Sequence, residues 1–280
     1  MSSRGTIRVG VSGWAYPSWR GDFFPTGLVQ REELAYLAER MSSVEINGSF
    51  YSLQRPASYQ RWRDATPEDF VFAVKGGRYI THMRRLRDVE VPLANFFASG
   101  VLALREKLGP VLWQLPPSLV FDEAILSGFL ELLPRTTSEA ASLARRHDDK
   151  VPEDQAVTSA PRGRPIRHAL EVRHESFCSE PALRVLRRHD VSMVLADSAG
   201  RWPVVDEDTS DLAYVRLHGH TTLYASGYSG RSLDRWAERC LAWQQEGRDV
   251  VVYFDNDMRG RAPHDAVSLL ARLSSVRAAE

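Results

Sequence analysis

The chain has 280 residues, 43% of them hydrophobic and 26% charged, which fits a soluble globular fold and excludes a disordered or fibrous one. Its 36 Lys and Arg balance 36 Asp and Glu, so no overall field draws it to nucleic acid or anionic lipid. Cys178 and Cys240 form no zinc or disulfide spacing, and there is no apolar leader or bilayer-length run, which together read as a cytoplasmic protein without a membrane partner.

The first apolar run, IRVGVSGW (7–14), has strand length, and the loop at 13–25 that follows is crowded with Trp14, Tyr16, Trp19, Phe23 and Phe24. A helical pattern at 31–41 leads to a second strand, SVEINGSF (43–50). The third strand, FVFAVKGG (70–77), precedes helical spacing at 92–108, and the fourth, PVLWQLP (110–116), precedes the same spacing at 122–133. Strands five and six, HALEVRHE (168–175) and SMVLADS (192–198), flank a helix at 180–189. LAYVRLHGH (212–220) and DVVVYFDND (249–257) are strands seven and eight, each followed by a helix, at 232–245 and 263–273. Pro92, Pro181 and Pro263 sit near helix starts, and Gly109 and Gly247 just past helix ends.

Alternation of this kind demands parallel pairing with right-handed crossovers. It predicts an α/β fold, a closed (β/α)8 TIM-type barrel in one domain over 1–280. The stretch 199–211 has no helical pattern and predicts an irregular connection between strands six and seven. An open doubly wound sheet is the alternative, but its G-x-G-x-x-G loop is absent. Residues 136–165 are polar, charged and proline-punctuated. They read as a flexible insertion on the bottom face with too little apolar surface to fold alone, or with one short helix at 139–147.

Side chains alternate along a strand, so the apolar residues that face the helices fix which others point inward. Val44 and Ile46 outward turn Glu45 and Asn47 inward; Leu170 and Val172 outward turn Glu171 and Arg173 inward. Phe72 and Val74 outward leave Lys75 inside, and Gln114 points in from the fourth strand. Val215 and Leu217 outward leave Tyr214, Arg216 and His218 inside, and the last strand contributes Tyr253, Asp255 and Asp257. Asp197 has ambiguous parity. Charges gathered toward the C-terminal strand ends coincide with the end where barrel enzymes build their sites.

Glu45 and Glu171 are the acid/base candidates, with His218 as proton carrier. Lys75, Arg173 and Arg216 suit a carboxylate or phosphate. A lysine here could also act as a Schiff-base nucleophile, although anion binding or ion pairing is the preferred reading. Asn47, Gln114, His174, Asp197, Tyr253, Asn256 and Asp257 complete the polar ligand-binding set. Trp14, Tyr16, Phe50, Tyr51, Tyr79, His82, Tyr224 and Tyr228 fall in loops over the barrel mouth, where aromatic faces suit a sugar or nucleobase. The bland alternatives are a buried ion network that fixes register, and aromatic rings that plug the barrel end as core. The cofactor is left open; a divalent metal on Glu45, Glu171, Asp197 and His218 is chemically allowed but not favoured.

At VGVSGWAYPSWRGDFFP, EINGSFY, FVFAVKGGRYITHMRRL, LGPVLWQLPPS, LEVRHESF, VRLHGHTTLYASGYS and VYFDNDMRGRAPHDAVSLL, the chain resembles the YecE-like family, domain of unknown function 72. The motifs run in family order from about residue 7 to residue 273. The resemblance implies a TIM-type barrel in a bacterial or archaeal protein, loosely related to sugar isomerases. Ser49 stands where the family has Thr, Phe177 where it has Trp, and 136–165 is an insertion. The expected function is therefore an enzyme of isomerase or hydrolase type on a small sugar-like or anionic metabolite. A nucleic-acid-acting barrel, which the neutral charge disfavours, and a non-catalytic metabolite-binding module are the alternatives. Oligomeric state is left open.

Overall fold

The computed structural model describes residues 4–161 and 163–279. Nine short strands, all parallel, follow the predicted apolar runs: β1 (Ile7–Ser12), β2 (Ser43–Ile46), β3 (Val71–Lys75), β4 (Leu108–Gln114) and β5 (His168–Glu171), then β6 (Val191–Met193), β7 (Leu195–Asp197), β8 (Leu212–Leu217) and β9 (Asp249–Phe254). The order β6-β5-β4-β3-β2-β1-β9-β8-β7 runs around a nearly closed barrel. The sixth predicted strand is split at Val194: β6 bonds to β5 and β7 bonds to β8. Ser192 Oγ donates to Leu212 O at 2.8 Å, stitching the seam where the two halves change partner.

Helices α1 (Glu33–Ala38), α2 (Gly48–Tyr51), α3 (Pro56–Asp64), α4 (Glu90–Ala98), α5 (Glu123–Glu131), α6 (Thr137–Ala144), α7 (Glu180–Arg188), α8 (Gly230–Gln245) and α9 (Arg261–Ala279) accompany the strands. The helical stretch expected at 92–108 breaks at Gly100, where φ is +125°, and continues as a 3-10 turn over Val101–Lys107. Left-handed backbone favours glycine there, and an added Cβ would meet Pro56 Cα at 2.6 Å. Residues 199–211 contain no helix, as expected.

The predicted parity holds on both sheet faces. Val44, Ile46, Phe72, Val74, Trp113, Leu170, Val215, Leu217, Val252 and Phe254 join the core between sheet and helices. The barrel interior is a separate, smaller cluster that includes Ala73, Leu112, Ala169, Ala196, Tyr214, Val251 and Tyr253. Because Ala196 points in, Asp197 points out, which resolves its parity. At the outer layer His168 is fully committed: its Nε2 donates to Pro134 O at 2.8 Å, so Nδ1 accepts from Trp113 Nε1 at 3.2 Å. Burial pulls its pKa down to about 4, which keeps it neutral in that bridge.

Of the two readings of 136–165, the structure favours the one with a short helix: α6 spans Thr137–Ala144, against the 139–147 expected, and the segment packs rather than lacking the apolar surface to fold. Thr136 caps α6 by accepting from Glu139 N, and Ala140, Ala141, Leu143 and Ala144 are buried. Small alanines give a helix a packing face without the hydrophobic run that sequence reading looks for. The segment also does not stay at the bottom face. Asn95 of α4 and Asp148 exchange hydrogen bonds at 2.8 and 3.0 Å, and Lys150 lies 5.4 Å from the ring of Tyr79, which follows the C-terminal end of β3.

Two glycines test this packing in opposite directions. At Gly10 an added methyl would collide with the Ser43 carbonyl of the adjacent strand, whereas at Gly128, inside α5, it would meet nothing within 4 Å. Gly128→Ala is expected to stabilise the fold by about 0.5–1 kcal/mol in urea denaturation, and Gly10→Ala to destabilise it by more than that.

Candidate functional site

Strand alternation delivers Ser12, Glu45, Asn47, Lys75, Gln114, Glu171, Arg173, Arg216, His218 and Asp255 to one end of the barrel, and Arg216 is the hub. Its guanidinium is fully buried, yet every nitrogen is engaged. Nε and Nη2 hold Glu45 at 3.1 and 2.8 Å, Nη1 holds Glu171 at 2.6 Å, and Nη2 also reaches Asp255 at 3.0 Å and Ser12 Oγ at 2.8 Å. Ser12 Oγ and Tyr214 Oη each donate to Glu45, the latter at 2.6 Å, so both of its oxygens are occupied. Gln114 Nε2 and Arg173 Nε donate to the other oxygen of Glu171, each at 2.9 Å. Burial alone would raise the Glu171 pKa, but Arg216 and Arg173 outweigh it and hold the carboxyl well below its usual range.

His218 is also fully buried, with Nδ1 2.9 Å from Asp255 Oδ2 in an ion-pair contact and Nε2 3.7 Å from Glu171. Burial and Arg216 oppose its charge, and the two carboxylates more than compensate, so its pKa is raised. Trp202 and Tyr224 stand edge-on above its ring, with centroids at 5.6 and 5.5 Å.

Above this floor the polar groups are less committed. Asp255 keeps 13% of its side chain exposed; burial works against its charge, but Arg216 and His218 hold it down to about 2. Asp257 behaves oppositely: burial and the neighbouring Asp255 charge push its pKa well above the usual carboxylate range, and its buried Oδ1 has no hydrogen-bond partner among the described residues. Tyr16 stands beside it and donates to Ser12 O at 2.6 Å. Arg173 stacks on Trp202 with its Cζ 3.7 Å from the ring centroid. Lys75, 7% exposed, points its Nζ at the Phe50 ring, 4.4 Å from the centroid, and makes no hydrogen bond or ion pair among the described residues. Burial, with Arg216 adding to it, pulls the Lys75 pKa down to about 8. His82 packs edge-on against Phe50, and burial, Arg173 and Lys75 lower its pKa to about 4.

Several expectations are corrected. Every nitrogen of Arg216 is already bonded within the cluster, and both oxygens of Glu45 are occupied. Asp197 lies outside the interior, 3.6 Å from His220, so the four candidate metal ligands do not converge, and Arg216 bridges two of them. His174 caps a 3-10 turn by accepting from Ser176 N. Asn256 is fully buried and donates to Ser226 O and Asp265, while Tyr228 accepts from Gly219 N and packs on Phe254. Tyr253 lies deep in the barrel, bonded to Ser43 Oγ at 2.7 Å. Trp14 packs against Trp62, and Trp19, Phe23 and Phe24 are buried core, so most of the aromatic loop is a plug. Tyr51 is 67% exposed on the outer rim. Asn47, which donates to Ser12 Oγ at 3.1 Å, does belong to the cluster.

Sequence reading missed Ser12 and Trp202. Ser12 was accessible, since Val9 and Val11 outward turn it inward; Trp202 sits in an aperiodic loop and could be noticed only as that loop's one large ring.

Replacing Arg216 by Met leaves the fully buried Glu45 without a counter-charge and Glu171 with Arg173 alone, and urea denaturation at neutral pH should register a loss of about 3–5 kcal/mol. His218 holds its proton more tightly folded than unfolded, where the imidazole titrates near about 6.5. Its contribution is therefore complete below that pH and lost as pH rises through the higher folded value. The stability gap between the native chain and His218→Gln should narrow as pH rises above about 6.5; a widening gap would reverse the assigned sign.

The family model described as protein of unknown function DUF72 matches residues 8–279. UPF0759 protein YecE of Escherichia coli K12 is 31% identical over 129 residues, a match spanning 46% of this chain and only 44% of that protein. UPF0759 protein YunF of Bacillus subtilis is 24% identical over 299 residues, covering 95% of this chain and 94% of the relative. A solved DUF72 family protein from Thermotoga maritima, 24% identical, superposes with a TM-score of 0.76 over 96% of this chain and 99% of its own. One from Enterococcus faecalis, 18% identical, reaches 0.72 over 96% of each chain. These likenesses confirm the barrel, and with the family model covering all but the extreme ends, the chain belongs to the DUF72 family.

Proposed function

We propose that the C-terminal mouth is the active site of an enzyme that moves protons on a small, polar metabolite bearing an anionic or sugar-like group. The observation that carries this reading is an asymmetry of satisfaction. The floor around Arg216 is saturated, whereas at the mouth the Lys75 amine makes no hydrogen bond or ion pair among the described residues, Arg173 pairs with Glu171 through one nitrogen, and Asp255 and Asp257 form a coupled pair that also feels the Lys75 charge. Two cations with donors to spare suit a carboxylate, a phosphate or a carbonyl oxygen. Two neighbouring carboxyls whose pKa values are driven apart supply an ionised base and a protonated acid at the same pH. In this assignment Asp257 donates a proton, Asp255 accepts one, and His218 behind Asp255 stabilises its charge. Glu45 and Glu171 are positioning residues, acting through Arg216. Trp202, Tyr16 and Phe50 frame the ligand.

Such chemistry is of isomerase or hydrolase type. A thermal-shift panel of sugar phosphates, hydroxy acids and keto acids, followed by proton NMR of each hit in heavy water, tests it. Ligands should raise the melting temperature of the native chain, and Lys75→Met and Arg173→Met should weaken binding about tenfold or more. Asp257→Asn should keep binding and lose turnover by about 100-fold or more. Binding with no exchange or product in the native chain would make the mouth a non-catalytic metabolite site; ligands indifferent to Lys75 and Arg173 would move the site elsewhere.

A further inference from the structure

The chain contains only three lysines, and the fold treats them differently. Lys107 Nζ is tied to the carbonyl oxygens of Arg63 and Thr66 at 2.6 and 2.7 Å and to Thr66 Oγ1 at 3.1 Å, closing a loop. Lys150 is 60% exposed, 3.9 Å from Asp148, where water solvates it. Lys75 is as buried as Lys107, each 7% exposed, but among the described residues its nitrogen has no hydrogen-bond acceptor and no carboxylate within 4.0 Å. An ammonium kept purely for stability is normally given acceptors when it is buried. Here the structure supplies an aromatic face, the Arg216 guanidinium, and the charges of Glu45, Asp255 and Glu171 acting from beyond ion-pair distance.

We propose that Lys75 is a Schiff-base nucleophile, taking the aldehyde or ketone carbon of a small polar substrate. This rests on reading the barrel mouth as the active site. In the neutral form favoured by its lowered pKa, the amine attacks the carbonyl carbon. A C–N bond forms, the π pair moves to oxygen, and the amine proton follows it to give a neutral carbinolamine. Asp257, protonated and with an unpartnered buried oxygen, passes its proton to the hydroxyl. The C–O bond breaks, water leaves, and the iminium faces the new Asp257 carboxylate. Asp255, ionised, takes the proton from the adjacent carbon, and the C–H pair becomes the enamine. Asp255 then returns its proton to carbon, regenerating the iminium; water adds to the C=N carbon, Asp257 regains its proton, and the C–N bond breaks to release the carbonyl compound and the amine. No oxidant, metal or further reactant enters the balance. Arg173 is left to hold an anionic substituent on the substrate.

Reductive trapping tests this on the full chain. The protein is incubated with glycolaldehyde, pyruvate or dihydroxyacetone phosphate plus sodium borohydride, which reduces an iminium to a stable secondary amine, and the modified peptides are mapped by mass spectrometry. With at least one probe, Lys75 should carry a single reduced adduct at least about tenfold above Lys150, the solvent-exposed internal control. The yield should rise with pH to a midpoint near 8, following the amine. Lys75→Arg should remove that adduct while circular dichroism stays native, and Asp257→Asn should slow its formation. Adducts confined to Lys150 and the N-terminus, or none with any probe, would overturn the proposal. If ligands in the thermal-shift panel still depended on Lys75 and Arg173 in that case, the mouth would remain the active site and only the covalent step would fall.

Discussion

One fully buried guanidinium organises this protein. Arg216 reaches carboxylates that rise from β2, β5 and the end of β9, and a hydroxyl from β1. Such a cluster is an expensive way to fill a barrel, since taking charges out of water costs several kcal/mol per ion and apolar packing of the same volume commonly does as well. Its return is geometric. Strand ends from across the barrel are fixed by bonds whose directions a planar fork dictates, with Gln114 from β4 and Tyr214 from β8 occupying the remaining lone pairs. Apolar packing could hold the same strands together without fixing where any polar atom sits.

The mouth inherits its chemistry from that arrangement. Arg216 favours the ionised form of the nearer aspartate, Asp255, and the charge so stabilised raises the pKa of the next one, Asp257. The same guanidinium disfavours a second positive charge on Lys75. An acid, a base and an amine of reduced basicity thus follow from one charge and the burial around it. Glu45 and Glu171 are as acidic in composition as the two aspartates, but full burial and occupied oxygens turn them into supports rather than reagents.

Much of this was legible in the sequence because a strand repeats every two residues. Once Val44, Ile46, Val215 and Leu217 are assigned to the helix side, Glu45, Arg216 and His218 have nowhere to go but inward. What alternation cannot convey is depth. It gives the same inward sign to Tyr253, low in the barrel beside Ser43, and to Asp255 at the rim. Nor does it say which inward charges satisfy one another, so Arg216 looked like a ligand contact when its nitrogens are in fact all engaged. Loops carry no period at all. Trp202 rests on Arg173 from an aperiodic segment, and the aromatic loop after β1 serves mainly as core because Trp19 and Phe24 fold back onto Tyr16 and Tyr36. The helix in the insertion was legible only as an alternative, because alanine scores weakly as apolar although it packs a helix closely.

The segment after β3 links these strands of argument. It begins with a five-residue π-helical turn, Tyr79–Met83, and continues through Arg85, Leu86 and Asp88, all at positive φ. None is glycine, and such backbone costs of order 1–3 kcal/mol per residue where nothing compensates. The turn sets His82 against the edge of Phe50, whose face meets Lys75. It also places a second nitrogen base, kept neutral by burial and by nearby positive charge, in the lysine's surroundings. Ser49 Oγ donates to the Lys75 carbonyl at 2.6 Å and anchors the helix that carries Phe50. Backbone strain, an aromatic wall and a neutral imidazole therefore converge on one side chain that contributes no ion pair to the fold. A chain selected only for stability would relax that turn or give the lysine a carboxylate; keeping both supports the proposal that a ligand sits at this corner of the barrel mouth.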